Sequence, residues 1–173
     1  MELKVATLVS LRTKGKRAFI HRVGDPTDFL YGNNVGAGGK LEVDIGETPE
    51  ECAVRELKEE MGYISSKLKF RGHVLFDNRG RIFNGRPADK SWLVFLYEEF
   101  TEIEVPLSNE KGNLSRWVDE GLVSTLEMEE GDRQIFKWLE EGGEIYARIR
   151  YDGSRVKSYE GFRLLEGKKI TLN

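Results

Sequence analysis

The chain has 173 residues, of which 39% are hydrophobic and 33% are charged, and its 27 basic and 30 acidic side chains give a net charge of -3. This composition is typical of a globular protein and argues against disorder, a membrane span or nonspecific nucleic-acid binding. One cysteine, Cys52, excludes an internal disulfide framework, and two separated histidines cannot build a standard zinc site. We therefore expect one cytoplasmic domain over residues 1–173, with no nucleic-acid or membrane partner.

The hydrophobic pattern predicts a mixture of strands and helices along the chain. In order, the predicted elements are strand 3–11, strand 17–23, loop 24–39, helix 49–61, strand 67–76, loop 78–89, strand 92–97, strand 114–118, helix 132–140 and a hairpin over 145–159. The order lacks a regular strand–helix–strand repeat. It therefore favours an α+β fold, in which helices pack on a mixed β-sheet.

Local signals bound the first helix at both ends. Thr48 can serve as the N-cap, Pro49 suits the first helical position, and Glu51 completes a capping box. Gly62 is a natural stop directly after Met61. These signals predict a helix of 13 residues, from 49 to 61.

Three glutamates, Glu56, Glu59 and Glu60, form one face of this helix. They lie next to the stripe expected to face the core, which consists of Ala53, Val54, Leu57 and Met61. Carboxylates at this spacing repel one another and, near the C-terminal end of a helix, oppose its dipole. A divalent cation such as Mg²⁺ would reverse the repulsion. The spacing alone leaves two interpretations open, a solvated acidic face and a metal site.

The wider segment from Gly38 to Tyr63 resembles the Nudix hydrolase signature, G-x5-E-x7-R-E-U-x-E-E-x-G-U, in which U is a bulky apolar residue. Every specified position from Glu47 to Tyr63 matches. Seven residues, in place of five, separate Gly39 from Glu47, and the two extra residues lie within 42–45. The resemblance implies the Nudix fold, an α/β/α sandwich whose central mixed β-sheet is flanked by helices.

The resemblance also implies an activity, namely hydrolysis of a nucleoside diphosphate linked to another group, with Mg²⁺ or alternatively Mn²⁺ as cofactor. The implied metal ligands are Gly39, Glu56, Glu59, Glu60 and, as a candidate fourth carboxylate, Glu110. Glu56 is also the candidate general base. Arg55 and Glu47 are implied to pair, bracing the loop against the helix.

Two further segments resemble MutT-like oxidised-purine nucleoside triphosphatases. Residues 34–40 are similar to the run W-N-G-x-G-G-K, and residues 126–136 to L-x-x-W-E-G-D-R-x-F. This resemblance implies a small-molecule nucleotide substrate, a (d)NTP such as 8-oxo-dGTP, cleaved to (d)NMP and pyrophosphate. The candidate substrate-binding residues are Arg22, Asn34, Lys40 and Asp132.

Two departures from the MutT-like pattern leave the substrate open. Glu129 stands in the place of a base-stacking tryptophan, and Val35 in that of a base-reading asparagine. One alternative is a Nudix hydrolase of another nucleoside diphosphate derivative, such as a nucleoside diphosphate sugar or a dinucleoside polyphosphate. A second is a non-catalytic module that senses a nucleotide. The oligomeric state does not follow from the sequence.

Overall fold

The computed structural model describes residues 1–83 and 85–172, so that Asn84, within the predicted loop 78–89, and Asn173 lie outside the described residues. The elements, in chain order, are β1 (Glu2–Thr13), β2 (Lys16–His21), β3 (Asn34–Val35), α1 (Pro49–Met61), β4 (Lys69–Asp77), β5 (Ile82–Phe83), β6 (Arg86–Pro87), β7 (Lys90–Phe100), β8 (Leu114–Asp119), α2 (Glu130–Glu141), β9 (Glu144–Asp152), β10 (Arg155–Leu165) and β11 (Lys168–Leu172). Helix α1 has the predicted bounds, and the other predicted strands and helix are present with shifted ends. The predicted loops contain β3, β5 and β6.

The chain forms two compact units, which are described separately. The first comprises residues 1–6, 70–96 and those from Glu130 onwards, and the second comprises residues 7–69 and 97–129. Strands β1 and β7 contribute residues to both. The predicted mixed β-sheet is confirmed, because β4 and β9 pair in parallel while β9 and β10 pair antiparallel. The expectation of a single domain stays a prediction.

The first unit places its strands in the order β11-β10-β9-β4, and helix α2 packs against β9 and β10. Its buried apolar residues include Val74, Phe76, Ile135, Phe136, Leu139, Ile145 and Ile149. Two buried arginines satisfy carbonyls at the C-terminal end of α2. Arg71 Nε donates to Gly143 O at 2.8 Å, and Arg163 Nη1 donates to Glu141 O at 2.8 Å. Cations at this end are favourable because the helix dipole is negative there.

The second unit is built on β2, which pairs antiparallel with β1, β3 and β8. Helix α1 contacts β1 where the Cys52 thiol lies 3.4 Å from Thr7 Oγ1. The buried apolar residues here include Val9, Leu11, Phe19, Ile20, Leu57 and Met61. Among the described residues, neither α1 nor α2 has the length and apolar composition that crossing a bilayer requires.

Candidate metal and phosphate site

The predicted caps of helix α1 are present. Thr48 Oγ1 accepts a hydrogen bond from Glu51 N at 3.3 Å, and the Glu51 carboxylate accepts one from Thr48 N at 2.8 Å. Gly62 closes the helix with a φ of 69°, which is the left-handed conformation that glycine adopts without strain. The capping box therefore fixes the start of the helix that carries the three glutamates, and Gly62 fixes its end.

The buried face of α1 is rotated from the predicted stripe. Val54 was expected to face the core but is 37% exposed, whereas Cys52 and Ala53 are fully buried. The buried residues centre on Ala53 and Glu60, so the core lies closer to the acidic face than the apolar pattern indicated. As a result Glu60 is only 9% exposed and Glu56 is half-buried.

Arg55 and Glu47 form the predicted pair. Arg55 Nε donates to Glu47 Oε1 at 2.7 Å, and Nη2 donates to Oε2 at 3.1 Å. Such a bidentate contact is stronger and more directional than an ordinary surface ion pair. The guanidinium of Arg55 lowers the pKa of Glu47 to about 2. Because Glu47 precedes the helix and Arg55 lies within it, the pair ties the preceding loop to α1.

The same arginine also neutralises part of the acidic face. Arg55 Nη1 donates to Glu56 Oε1 at 2.7 Å and to Glu59 Oε2 at 3.2 Å. From another direction, Arg22 Nη1 donates to Glu60 Oε1 at 3.3 Å. Arg22 is itself held by Asp28, whose Oδ2 accepts from Arg22 Nη2 at 2.6 Å. Two arginines thus contact all three glutamates of the helix.

Glu60 is the most buried of these acids. Its Oε2 accepts a hydrogen bond from Gly38 N at 2.8 Å. Burial raises the pKa of Glu60 to about 7, and the negative charges of Glu56 and Glu110 act in the same direction, whereas the Gly38 and Arg22 contacts oppose them. A carboxylate in such a setting is costly to ionise without a further cation nearby.

Residues 36–40, here called the glycine loop, precede the helix and lie against Glu56 and Glu60. A Cβ at Gly39 would lie 2.2 Å from Glu56 Oε1, so any side chain there would displace the Glu56 carboxylate. The Gly39 carbonyl, a candidate metal ligand, accepts a hydrogen bond from Thr7 N at 2.9 Å and a longer one from Cys52 Sγ at 3.6 Å. The two extra residues of the loop fall in a 3₁₀ turn, Val43–Ile45, and the Glu42 amide before this turn donates to Glu47 Oε2 at 2.8 Å. A hydrogen bond therefore links the residue before this turn to the Glu47–Arg55 pair.

The fourth candidate carboxylate, Glu110, lies near this face. Its negative charge raises the pKa of both Glu56 and Glu60, although burial is the larger cause for each. Asn113 fixes the loop that carries it, since Asn113 Oδ1 accepts from Val23 N at 3.1 Å and from Gly24 N at 3.0 Å. In the structure the Glu110 side chain pairs with Lys111 at 3.0 Å.

The donors present fit a hard divalent cation. Glu56, Glu60 and Glu110 offer carboxylate oxygens, which Mg²⁺ prefers, and they repel one another in its absence. Over residues 1–83 and 85–172, no three acidic, histidine or cysteine side chains converge on one point at ligand distance. Glu60, Glu56 and Glu110 instead contact Arg22, Arg55 and Lys111, respectively.

Comparison with known families shows the family to which the chain belongs. The family model described as NUDIX domain matches residues 3–139. The chain belongs to the Nudix family. It is therefore a pyrophosphohydrolase acting on nucleoside diphosphate-linked compounds, and Nudix hydrolases generally use divalent metal ions such as Mg²⁺.

Solved structures confirm the Nudix fold. A mutator MutT protein from Bacillus halodurans superposes with a TM-score of 0.72 at 23% identity, over 90% of this chain and 95% of that one. The MutT protein of Methanosarcina mazei Go1 gives a TM-score of 0.61 at 19% identity, over 81% and 94% of the two chains. The NUDIX domain of Shewanella oneidensis NrtR, complexed with ADP ribose, gives a TM-score of 0.62 at 15% identity, over 82% of this chain and 88% of that one. At these identities the likeness concerns the fold.

The candidate substrate residues of this Nudix chain have different surroundings. Arg22 lies with the acids, as described, and Lys40 is exposed at the end of the glycine loop. Asn34 is buried, with Nδ2 donating to Glu127 O at 3.0 Å and Oδ1 accepting from Arg116 at 3.1 Å. Asp132 belongs to the first unit, on the first turn of α2, where the preceding Gly131 amide donates to Tyr151 Oη at 3.1 Å. Their roles toward a substrate stay predictions.

The sequence analysis missed several residues that hold the Nudix helix and its loops. Asp28 orients Arg22, Asn113 fixes the Glu110 loop, and Glu99 binds the segment that follows α1. Asp28 and Asn113 lie in polar loops, where one side chain gives no signal that distinguishes it from its neighbours. Glu99 follows the apolar run of β7, where a charged residue looks like the exposed end of a strand.

A double-mutant cycle measures the Arg55–Glu47 brace. We expect Arg55→Ala and Glu47→Ala, made singly and together, to show a coupling beyond about 0.5 kcal/mol in the free energy of unfolding, because the two side chains are in bidentate contact. Denaturant unfolding of the four proteins gives the coupling. Glu47→Ala combined with Lys58→Ala is the control, and it should be additive, since Lys58 is exposed on another face of α1. Additive effects for Arg55 and Glu47 would contradict the brace.

Proposed function

We propose that the protein is a Mg²⁺-dependent nucleotide pyrophosphohydrolase that hydrolyses a (d)NTP, such as 8-oxo-dGTP, to (d)NMP and pyrophosphate. The observation that carries the proposal is the acidic face of α1, where a nearly buried Glu60 lies among further carboxylates that raise its pKa. Arg22, Arg55 and the Gly38 amide offset part of the repulsion, and a divalent cation would offset more of it. A polyphosphate substrate in turn needs such a cation to approach an acidic surface.

The proposal assigns the metal to Glu56, Glu59, Glu60 and Glu110, with the Gly39 carbonyl as a further ligand. When bound, the ion would neutralise charge on the phosphate oxygens and lower the pKa of a coordinated water. Mn²⁺ carries the same charge and accepts the same oxygen ligands. The chain's own contribution is to hold these oxygens ready, through Arg55 for Glu56 and Glu59 and through the Gly38 amide for Glu60.

The remaining residues have roles that follow from their chemistry. Water attacks a phosphorus of the polyphosphate while Glu56 accepts its proton. As the new bond from the water oxygen to phosphorus forms, the bond from that phosphorus to a bridging oxygen breaks, and the leaving group takes the electron pair. Arg22 and the exposed Lys40 bind phosphate oxygens, which carry the charge that both cations complement. Arg55 and Glu47 keep the glycine loop against the helix during this step.

A second candidate function keeps the chemistry and changes the leaving group. Both polar atoms of the Asn34 side chain are engaged, with Glu127 and Arg116, and the residue is buried. Glu129 gives no flat surface for a base. These observations favour a wider substrate range, including nucleoside diphosphate sugars and dinucleoside polyphosphates. NrtR, which has the same fold, binds ADP ribose. A nucleotide panel with Mg²⁺ separates the candidates, because a (d)NTP releases pyrophosphate or orthophosphate, whereas a nucleoside diphosphate sugar releases neither and yields a sugar phosphate.

Neutralising the proposed metal ligands tests the site. We expect Glu59→Gln and Glu60→Gln each to lower kcat by at least about 100-fold, because each removes charge from the cation site. Thermal stability without metal should hold or rise, since repulsion between the carboxylates is relieved. Glu50→Gln, on the exposed first turn of the same helix, is the matched control and should retain activity. Near-normal activity of either test variant would refute the assignment.

A second pair of variants tests the base specificity. Glu129→Trp should lower KM for 8-oxo-dGTP more than for dCTP, because a purine gains more from an added aromatic surface, about 1–3 kcal/mol per stacked base. Asp132→Ala should slow the purine substrates selectively, since a group that hydrogen-bonds a base edge discriminates by that contact. The measurement is kcat/KM for 8-oxo-dGTP, dGTP and dCTP. If Asp132→Ala slows all three equally, or none, the second candidate function is favoured.

A further inference from the structure

A buried carboxylate outside the acidic face binds the segment that follows α1. Glu99, on β7, is 1% exposed. Its Oε1 accepts from Tyr63 Oη at 3.1 Å, from Ser66 N at 2.9 Å and from Lys67 N at 3.2 Å, and its Oε2 accepts from Ser65 Oγ. Burial opposes ionisation of this group, but the hydrogen bonds outweigh it and hold the pKa of Glu99 below its usual range.

The bound segment begins where the helix ends. Gly62 terminates α1, and residues 63–67 have no helical or strand structure that could hold them in place. Helix ends fray unless their last groups are satisfied or tied down. Glu99 accepts hydrogen bonds from four of the five residues 63–67, namely 63, 65, 66 and 67, and so fixes the chain immediately beyond the last turn.

The last turn carries the two glutamates of the proposed cation site, Glu59 and Glu60. Two weaker ties also hold it, because Ser108 N donates to Met61 O at 2.9 Å and Ser115 Oγ donates to Glu60 O at 3.3 Å. Each is one hydrogen bond to a carbonyl. Glu99 is the ionised acceptor among these contacts, and charge-assisted hydrogen bonds are roughly twice as strong as neutral ones.

We propose that Glu99 is a positioning residue for the acidic face, because by binding residues 63–67 it holds the last turn of α1 and sets where Glu59 and Glu60 lie relative to a divalent cation. The inference rests on the proposed function, since it assumes that these two glutamates hold the cation. Glu99 itself faces the segment 63–67 and contributes no ligand. It is an addition to the signature residues and lies 36 positions beyond Tyr63, where the signature ends.

The test compares Glu99→Ala with Glu99→Gln. Alanine removes every acceptor, so we expect faster amide hydrogen exchange at residues 59–63 in the metal-free protein and about tenfold weaker Mn²⁺ binding, measured by electron paramagnetic resonance. Glutamine keeps the shape and one carbonyl acceptor, and its amide can donate to Ser65 Oγ. It should restore most of the Mn²⁺ affinity, which a loss of overall stability alone would not predict.

The matched control is Asp77→Ala. Asp77 is also a buried strand carboxylate held by hydrogen bonds, here from Arg79 at 2.7 Å and Arg150 at 3.3 Å. This variant should lose stability and keep the wild-type Mn²⁺ affinity. Should Glu99→Ala fail to fold, the double variant Tyr63→Phe/Ser65→Ala removes two donors and leaves the carboxylate in place. It should show the same two effects, faster amide exchange at residues 59–63 and weaker Mn²⁺ binding, with smaller magnitudes.

The outcomes distinguish this inference from the proposed function. Unchanged Mn²⁺ affinity in a folded Glu99→Ala or Tyr63→Phe/Ser65→Ala protein overturns the positioning role, as does an equal loss in Asp77→Ala. Equal Mn²⁺ affinities for the wild type and Glu60→Gln would instead overturn the proposed metal role of Glu60. In that case the exchange rates at residues 59–63 still show whether Glu99 holds the helix end.

Discussion

Repulsion between carboxylates on one half-buried helix face is the constraint around which the second unit is arranged. Glu60 is nearly buried, and Glu56 and Glu110 lie close enough to raise its pKa. Each of these acids contacts a cation. Glu56 pairs with Arg55, Glu110 with Lys111, and Glu60 with Arg22 and also with the Gly38 N–H. Compensation of this kind keeps the helix folded while leaving oxygen ligands that a divalent cation can recruit.

Hydrogen bonds to and from the backbone hold the two loops that flank these groups. Strand β1 holds the glycine loop through the hydrogen bond that Thr7 N donates to Gly39 O. Asn113 holds the Glu110 loop against residues 23–24 by accepting hydrogen bonds from their amides. Gly39 lies where any side chain would displace Glu56. The two extra residues lie within 42–45, where the chain forms a turn of its own, and the amide before this turn donates to Glu47.

How far the sequence predicts this protein depends on the range of the interactions involved. Helix α1 was predicted to the residue because its caps are local, from Thr48 to Gly62. Its buried face was not predicted. Cys52 is buried, where it contacts β1, and Val54 is exposed, and the helical pattern contains no information on contacts with β1. Strands β3 and β11 were missed because short edge strands depend on their neighbours. Glu99 gave no signal, since its donors lie more than thirty residues away in sequence.

The site specifies the phosphate end of a substrate more tightly than the base end. The proposed phosphate groups are the carboxylates of α1 together with Arg22 and Lys40. They suit any polyphosphate that arrives with a cation, whatever base it carries. Asn34, by contrast, would have to exchange its bonds to Glu127 and Arg116 for bonds to a base. Each exchanged bond contributes only about 1 kcal/mol net, so little selectivity can come from that residue. The proposed function therefore places the selection among bases in residues other than Asn34, and places the hydrolytic chemistry in the acidic face of α1.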